Sequence, residues 1–197
     1  VSIKGEIVSN QSVDDLARAL EQAQSVLSRV TPSQLSDATP CAKWNVKDLS
    51  NHLVGGAMMF GSVTRGETMA EMTEIADFTA GNIVSAFDAA KKSVLAAWQE
   101  PAVFEREMVF PFATLPAEIA ARVQLMEVVV HTWDLAQATG QVDSLDNSLA
   151  ETVLTFAGAM VPESSRTVGG DPFGVEVAEP DSASPYVKLA GLMGRNP

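Results

Sequence analysis

The segment Glu118–Ala138 constrains the fold of this sequence more than any other. It is apolar on nearly every side of a helix, with Val123, Leu125, Met126, Val128, Val129 and Trp133 distributed around its circumference. A helix that is hydrophobic all round has to be buried, so the rest of the chain must supply elements to surround it. Yet Gln124, Glu127, His131 and Asp134 follow one another at spacings of three, four and three, and form one polar stripe along this rod. A carboxylate taken out of water without a partner is strongly unfavourable, so each member of the stripe needs something to bind.

The remaining pattern supplies the surround. Apolar residues at helical spacing predict a first helix over Ser12–Arg29, with Ser12 as its N-cap and Asp14 and Asp15 in its first turn. Thr31-Pro32 stops it. A second helix begins at about Asn45 and carries Val46, Leu49, Leu53, Ala57 and Phe60 on one side. A third is expected over Asp77–Gln99, and the fourth runs from Pro116 to Thr139, ending at Gly140. A fifth covers Leu145–Met160, and a short last one lies near Pro185–Met193. Between Val103 and Leu115 the periodicity changes to that of an extended crossover with a short strand pair. The tail from Val161 to Pro197, rich in Pro, Gly and Ser, is expected to wrap the bundle. The fold class is all-α, a four-helix bundle with a crossover insertion, in a single domain over residues 1–197.

Composition narrows the partners. With 13 Lys+Arg against 25 Asp+Glu the net charge is −12, which repels phosphate backbones and excludes nucleic acid as a partner. Cys41 is the sole cysteine, so neither an intrachain disulfide nor a cysteine-built zinc ribbon can form. A thiol just before a helix can be activated, but packing is the expected role of Cys41. Met58, Met59, Met69 and Met72 read as core filler. The N-terminus lacks the basic-then-apolar pattern of a signal peptide, and no run reaches the roughly 18–20 apolar residues that span a bilayer. A soluble cytoplasmic protein with no membrane partner is expected.

The sequence holds two histidines, His52 on the second helix and His131 on the fourth. Glu127 and His131, four apart, project in the same direction. If the two helices face each other, His52 can join them. Two imidazoles and one carboxylate make the His₂Glu set of catalytic zinc, with a further position left for water or substrate. Zinc stands first, and nickel, iron or manganese suit the same donors. The rival reading is a buried Glu–His ion pair that locks two helices. Asn45, Asn51 and Gln124 are candidates for the lip of the pocket, and Asp134 for a residue that supports a ligand or bonds a neighbouring loop. No phosphate-binding loop, dinucleotide fingerprint or nucleophile elbow is present.

The run Thr39-Pro40-Cys41-Ala42-Lys43-Trp44-Asn45-Val46-Lys47-Asp48-Leu49, continuing through His52-Leu53-Val54-Gly55, resembles a block of an actinobacterial family. These are the DinB-like metal-binding proteins related to the N-terminal domain of mycothiol-dependent maleylpyruvate isomerase. Glu127-x-x-x-His131-x-Trp133-Asp134-Leu135-Ala136 is similar to that family's second block. The tail from Phe173-Gly174 through Ala183-Ser184-Pro185 to Gly194-Arg195-x-Pro197 resembles its shorter stand-alone members. The resemblance implies a DinB-type bundle with a divalent metal on His52, Glu127 and His131, and chemistry with a low-molecular-weight thiol, mycothiol as candidate cosubstrate. The isomerase has an additional C-terminal domain for which this chain has no room, so metal binding transfers more readily than isomerisation. The expected function is a thiol S-transferase or isomerase-like enzyme acting on a small electrophile. The alternatives are a metal-dependent hydrolase using metal-bound water and a non-catalytic metal- or ligand-binding module.

Overall fold

The structure, a computed structural model, describes residues 3–67, 77–167 and 173–196, with side chains from Gln11 onward. Among the described residues it is mostly helical: α1 (Ile3–Leu27), α2 (Val46–Thr64), α3 (Ile83–Trp98), α4 (Ala117–Thr139), α5 (Asn147–Met160) and α6 (Pro185–Leu192). Two short strands, β1 (Glu107–Val109) and β2 (Thr114–Pro116), pair antiparallel in the connection before α4, with Met108 opposite Leu115. The expected strand pair is therefore present.

The four long helices close a ring in which α1 packs on α4, α4 on α2, α2 on α3 and α3 on α1. Consecutive helices α1 and α2 lie across the ring from each other, as do α3 and α4. The segments 28–45 and 99–116 must therefore cross the end of the bundle. Helix α5 packs on α4, and α6 packs on α5 and α4, so the tail does return to the bundle. From Gln124 to Ala136, Glu127 alone is not buried, as an apolar-all-round helix requires.

Local chemistry sets most boundaries. Asn45 caps α2 by accepting from the Asp48 amide at 2.9 Å, and Asp146 caps α5 through the Ser148 amide at 3.0 Å. Gly140 ends α4 with φ 71°, a left-handed stop that glycine adopts without strain. Two boundaries differ from expectation by more than two residues. Helix α1 starts at Ile3 instead of at Ser12, with no proline between them to stop it; Ser12 lies within the helix and is buried. The third helix starts at Ile83, since Asp77 caps a separate 3-10 turn over Phe78–Ala80 and Asn82 then caps α3 through the Ser85 amide. Of the methionines, Met58 is 49% exposed, contrary to a filler role, because it lies on the outer face of α2. Met69 and Met72 lie outside the described residues.

The tail is clasped by glycines. Gly194, at φ 76°, lies so close to Gly174 that a Cβ on Gly194 would come within 2.4 Å of the Gly174 backbone. Neither side of that contact can yield. Gly194→Ala is expected to cost roughly 2–4 kcal/mol from backbone strain and overpacking together, measured as a shifted urea midpoint. An unchanged midpoint would remove the clasp from the account.

Candidate metal centre

Helices α2 and α4 are neighbours in the ring, which brings His52 across to Glu127 and His131. His131 Nε2 lies 3.0 Å from Glu127 Oε2, and His52 Nε2 lies 3.9 Å from the same oxygen. One donor atom from each of the three falls within 4.8 Å of the others. Cation bonds of about 2 Å in tetrahedral array put donors roughly 3.3 Å apart, so the observed spacing suits a shared ion after small adjustments. The two imidazoles meet edge to face, with ring centroids 4.8 Å apart. The three side chains line a cavity of about 40 Å³, whose wall also includes Leu53, Met59, Phe60, Val128 and Gln124. Glu127 keeps 41% of its side-chain surface open, and it is part of this cavity's wall.

The support behind the donors is built from a different part of the chain. His131 Nδ1 lies 3.0 Å from Asp134 Oδ2. Asp134 is fully buried and receives two further bonds from Arg195, Nε to Oδ1 at 3.2 Å and Nη2 to Oδ2 at 3.0 Å. Arg195 Nη1 also donates to the Met193 carbonyl at 3.0 Å. A carboxylate on Nδ1 holds a proton there, so that Nε2, which faces Glu127 and His52, is the nitrogen that would give up its proton and offer a lone pair to a cation. That is the arrangement found behind metal-ligating histidines.

Electrostatics show that the pocket calls for positive charge. Burial pushes the Glu127 carboxyl up, but His131 and His52 outweigh it and hold the group well below the usual carboxylate range. Burial opposes a charged His131, yet Glu127 on one side and Asp134 on the other raise it to about 9. Without metal, a proton on His131 supplies charge that a cation could supply instead. A second grouping, Cys41, His131 and Asp134, also falls within 4.8 Å. There the Arg195 guanidinium already neutralises Asp134, which disfavours a cation. Burial, followed by the Asp134 charge, pushes the Cys41 thiol up, which agrees with packing and opposes activation.

The loop before α2 shapes the near wall. Thr39 Oγ1 donates to the Trp44 carbonyl at 2.7 Å, and the amides of Val46 and Lys47 donate to the carbonyls of Asp37 and Leu35. So pinned, the Trp44 ring lies 4.2 Å from the His52 ring and 5.4 Å from that of His131, centroid to centroid. Of the three lip candidates only Gln124 lines the cavity. Asn45 is engaged as the cap of α2, and Asn51 accepts from the Phe78 amide at 2.8 Å, anchoring the 3-10 turn. Sequence reasoning gave no site role to Trp44 or Arg195. The signal for Arg195 was present in part, because a buried Asp134 demands a cationic partner and the tail carries one.

The fold is that of a DinB-like four-helix bundle, with two imidazoles and a carboxylate facing one another from two of its helices. Within that class the chain belongs to the mycothiol maleylpyruvate isomerase N-terminal domain family, whose model matches residues 16–136. The uncharacterized proteins MT0763 and Rv0738 of Mycobacterium tuberculosis, strains CDC 1551 / Oshkosh and ATCC 25618 / H37Rv, are each 32% identical over 178 residues. That alignment covers 90% of this chain and 94% of each relative. No solved structure matches the chain. Among the described residues, no helix is long and apolar enough to cross a membrane.

Proposed function

We propose that this chain is a divalent-metal-dependent enzyme that joins a low-molecular-weight thiol, mycothiol in first place, to a small electrophile by S-transfer or isomerase-like chemistry. The observation that carries this reading is the convergence of His52, Glu127 and His131 on one cavity, with His131 held from behind by Asp134. The family's thiol-linked name points the same way. A cation on these three side chains, with zinc the first choice, would hold a thiol as its thiolate at neutral pH. His131 and Glu127 would fix its position from one helix and His52 from the other. Trp44, Leu53 and Phe60 keep the donors in an apolar setting, which strengthens electrostatic contacts there. The cavity admits the sulfur end of a thiol and not its whole body, so the remainder must lie along the surface. A reduced thiol cosubstrate also favours a cytoplasmic setting.

Calorimetric titration of zinc-loaded protein with mycothiol tests this reading, together with turnover of an electrophile with and without the thiol. Stoichiometric thiol binding and thiol-dependent turnover are expected. Turnover that ignores the thiol would instead support hydrolysis, and thiol binding with no turnover of any electrophile would support a binding module.

A further inference from the structure

Gln124 is the one polar side chain among the described residues of the cavity wall that is not a candidate ligand. It lies about one turn before Glu127 on α4 and is 1% exposed. Trp98, the last residue of α3, donates from Nε1 to Gln124 Oε1 at 2.8 Å in a buried contact. An indole nitrogen can only donate, so this bond fixes which end of the amide is which. The oxygen is committed to Trp98, and the NH2 group is left as a buried donor with no partner. Trp98 is itself steadied by stacking on Phe104, with centroids 5.6 Å apart. A buried donor left unpaired is unfavourable, and a ligand that accepts from it relieves that cost.

We infer that Gln124 donates a hydrogen bond to the exogenous ligand in the coordination position left open by His52, Glu127 and His131. The site then selects ligands that retain an unshared electron pair once coordinated, such as thiolates and azide. It gives no such advantage to neutral imidazole, whose one free pair is used in coordination and whose other nitrogen carries a proton. This rests on the metal reading above and adds to it a specificity-determining residue on α4, oriented by Trp98 of α3.

The test uses cobalt(II)-loaded protein, whose visible absorption reports ligand exchange, titrated with azide, 2-mercaptoethanol and imidazole. Gln124→Met keeps the shape and removes the donor. It is expected to weaken azide and 2-mercaptoethanol about tenfold, the scale of one hydrogen bond to a charged acceptor, and to leave imidazole affinity and cobalt stoichiometry unchanged. Trp98→Phe releases the amide to rotate and is expected to weaken the same two ligands about threefold; it carries the test if Gln124→Met does not fold. Unchanged azide and thiol affinity, or an equal loss for imidazole, would overturn the assignment to Gln124 while leaving the metal site standing. A wild-type protein that takes up no cobalt would remove the metal reading itself, and this inference with it.

Discussion

Replacing Glu127 with alanine is expected to lower zinc affinity by more than about a hundredfold, beyond the 10–100-fold typical of losing a residue that only supports a ligand. Helical content should change little, because Glu127 is the one residue between Gln124 and Ala136 that is not buried. His52→Ala should do the same from the opposite helix. Wild-type protein at a zinc concentration a thousandfold above the dissociation constant gains about 4 kcal/mol, which for a chain of this size raises the melting temperature by roughly 10 °C. Both variants should lose that rise. The rival account, in which Glu127 and His52 only lock α4 to α2, makes a different prediction: no thermal response to zinc in the wild type, and a less stable Glu127→Ala protein with or without it. Equal zinc occupancy and an equal thermal shift in all three proteins would sink the ligand assignment. Scanning calorimetry with elemental analysis of the same samples decides between them.

The parts of this molecule that follow from local pattern were legible in the sequence. Helix α4 was read from its all-round apolarity, and its stripe of Gln124, Glu127, His131 and Asp134 from spacing alone, because a helix fixes which residues share a face. The strand pair ahead of it could be read as well, since Pro111 and the alternating Met108 and Phe110 break helical periodicity. Less legible was anything set by distance along the chain. Arg195 meets Asp134 across 61 positions, and no local signal encodes that meeting. Ser12 is a good cap by type, but no proline precedes it to stop a helix, so α1 begins further back than the cap pattern implies. Asn51 suits a pocket lip by residue type, but its partner, the Phe78 amide, lies on a turn that spacing does not bring near. The orientation of Gln124 depends on Trp98 at its oxygen, a contact between helices that spacing within α4 does not encode.

The second large effect concerns Asp134. Removing its carboxylate by Asp134→Ala leaves the Arg195 guanidinium, 7% exposed, without its counter-ion in the interior. Breaking one side of a buried pair costs about 3–5 kcal/mol, most of it the penalty on the charge left behind. The same substitution frees His131 Nδ1, so zinc affinity should fall about 10–100-fold even though no proposed ligand is touched. The two losses have different origins, and Arg195→Met separates them. Added to Asp134→Ala, it removes the stranded charge and should restore a large part of the stability, read from the urea midpoint. It should restore none of the zinc affinity, because the histidine still lacks its carboxylate. If the double variant regains both together, Asp134 acts on the site only by holding the tail in place. If it regains stability alone, the Arg195–Asp134–His131 chain orients the donor directly, and the tail matters to the site because it brings the charge that keeps Asp134 ionised where His131 needs it.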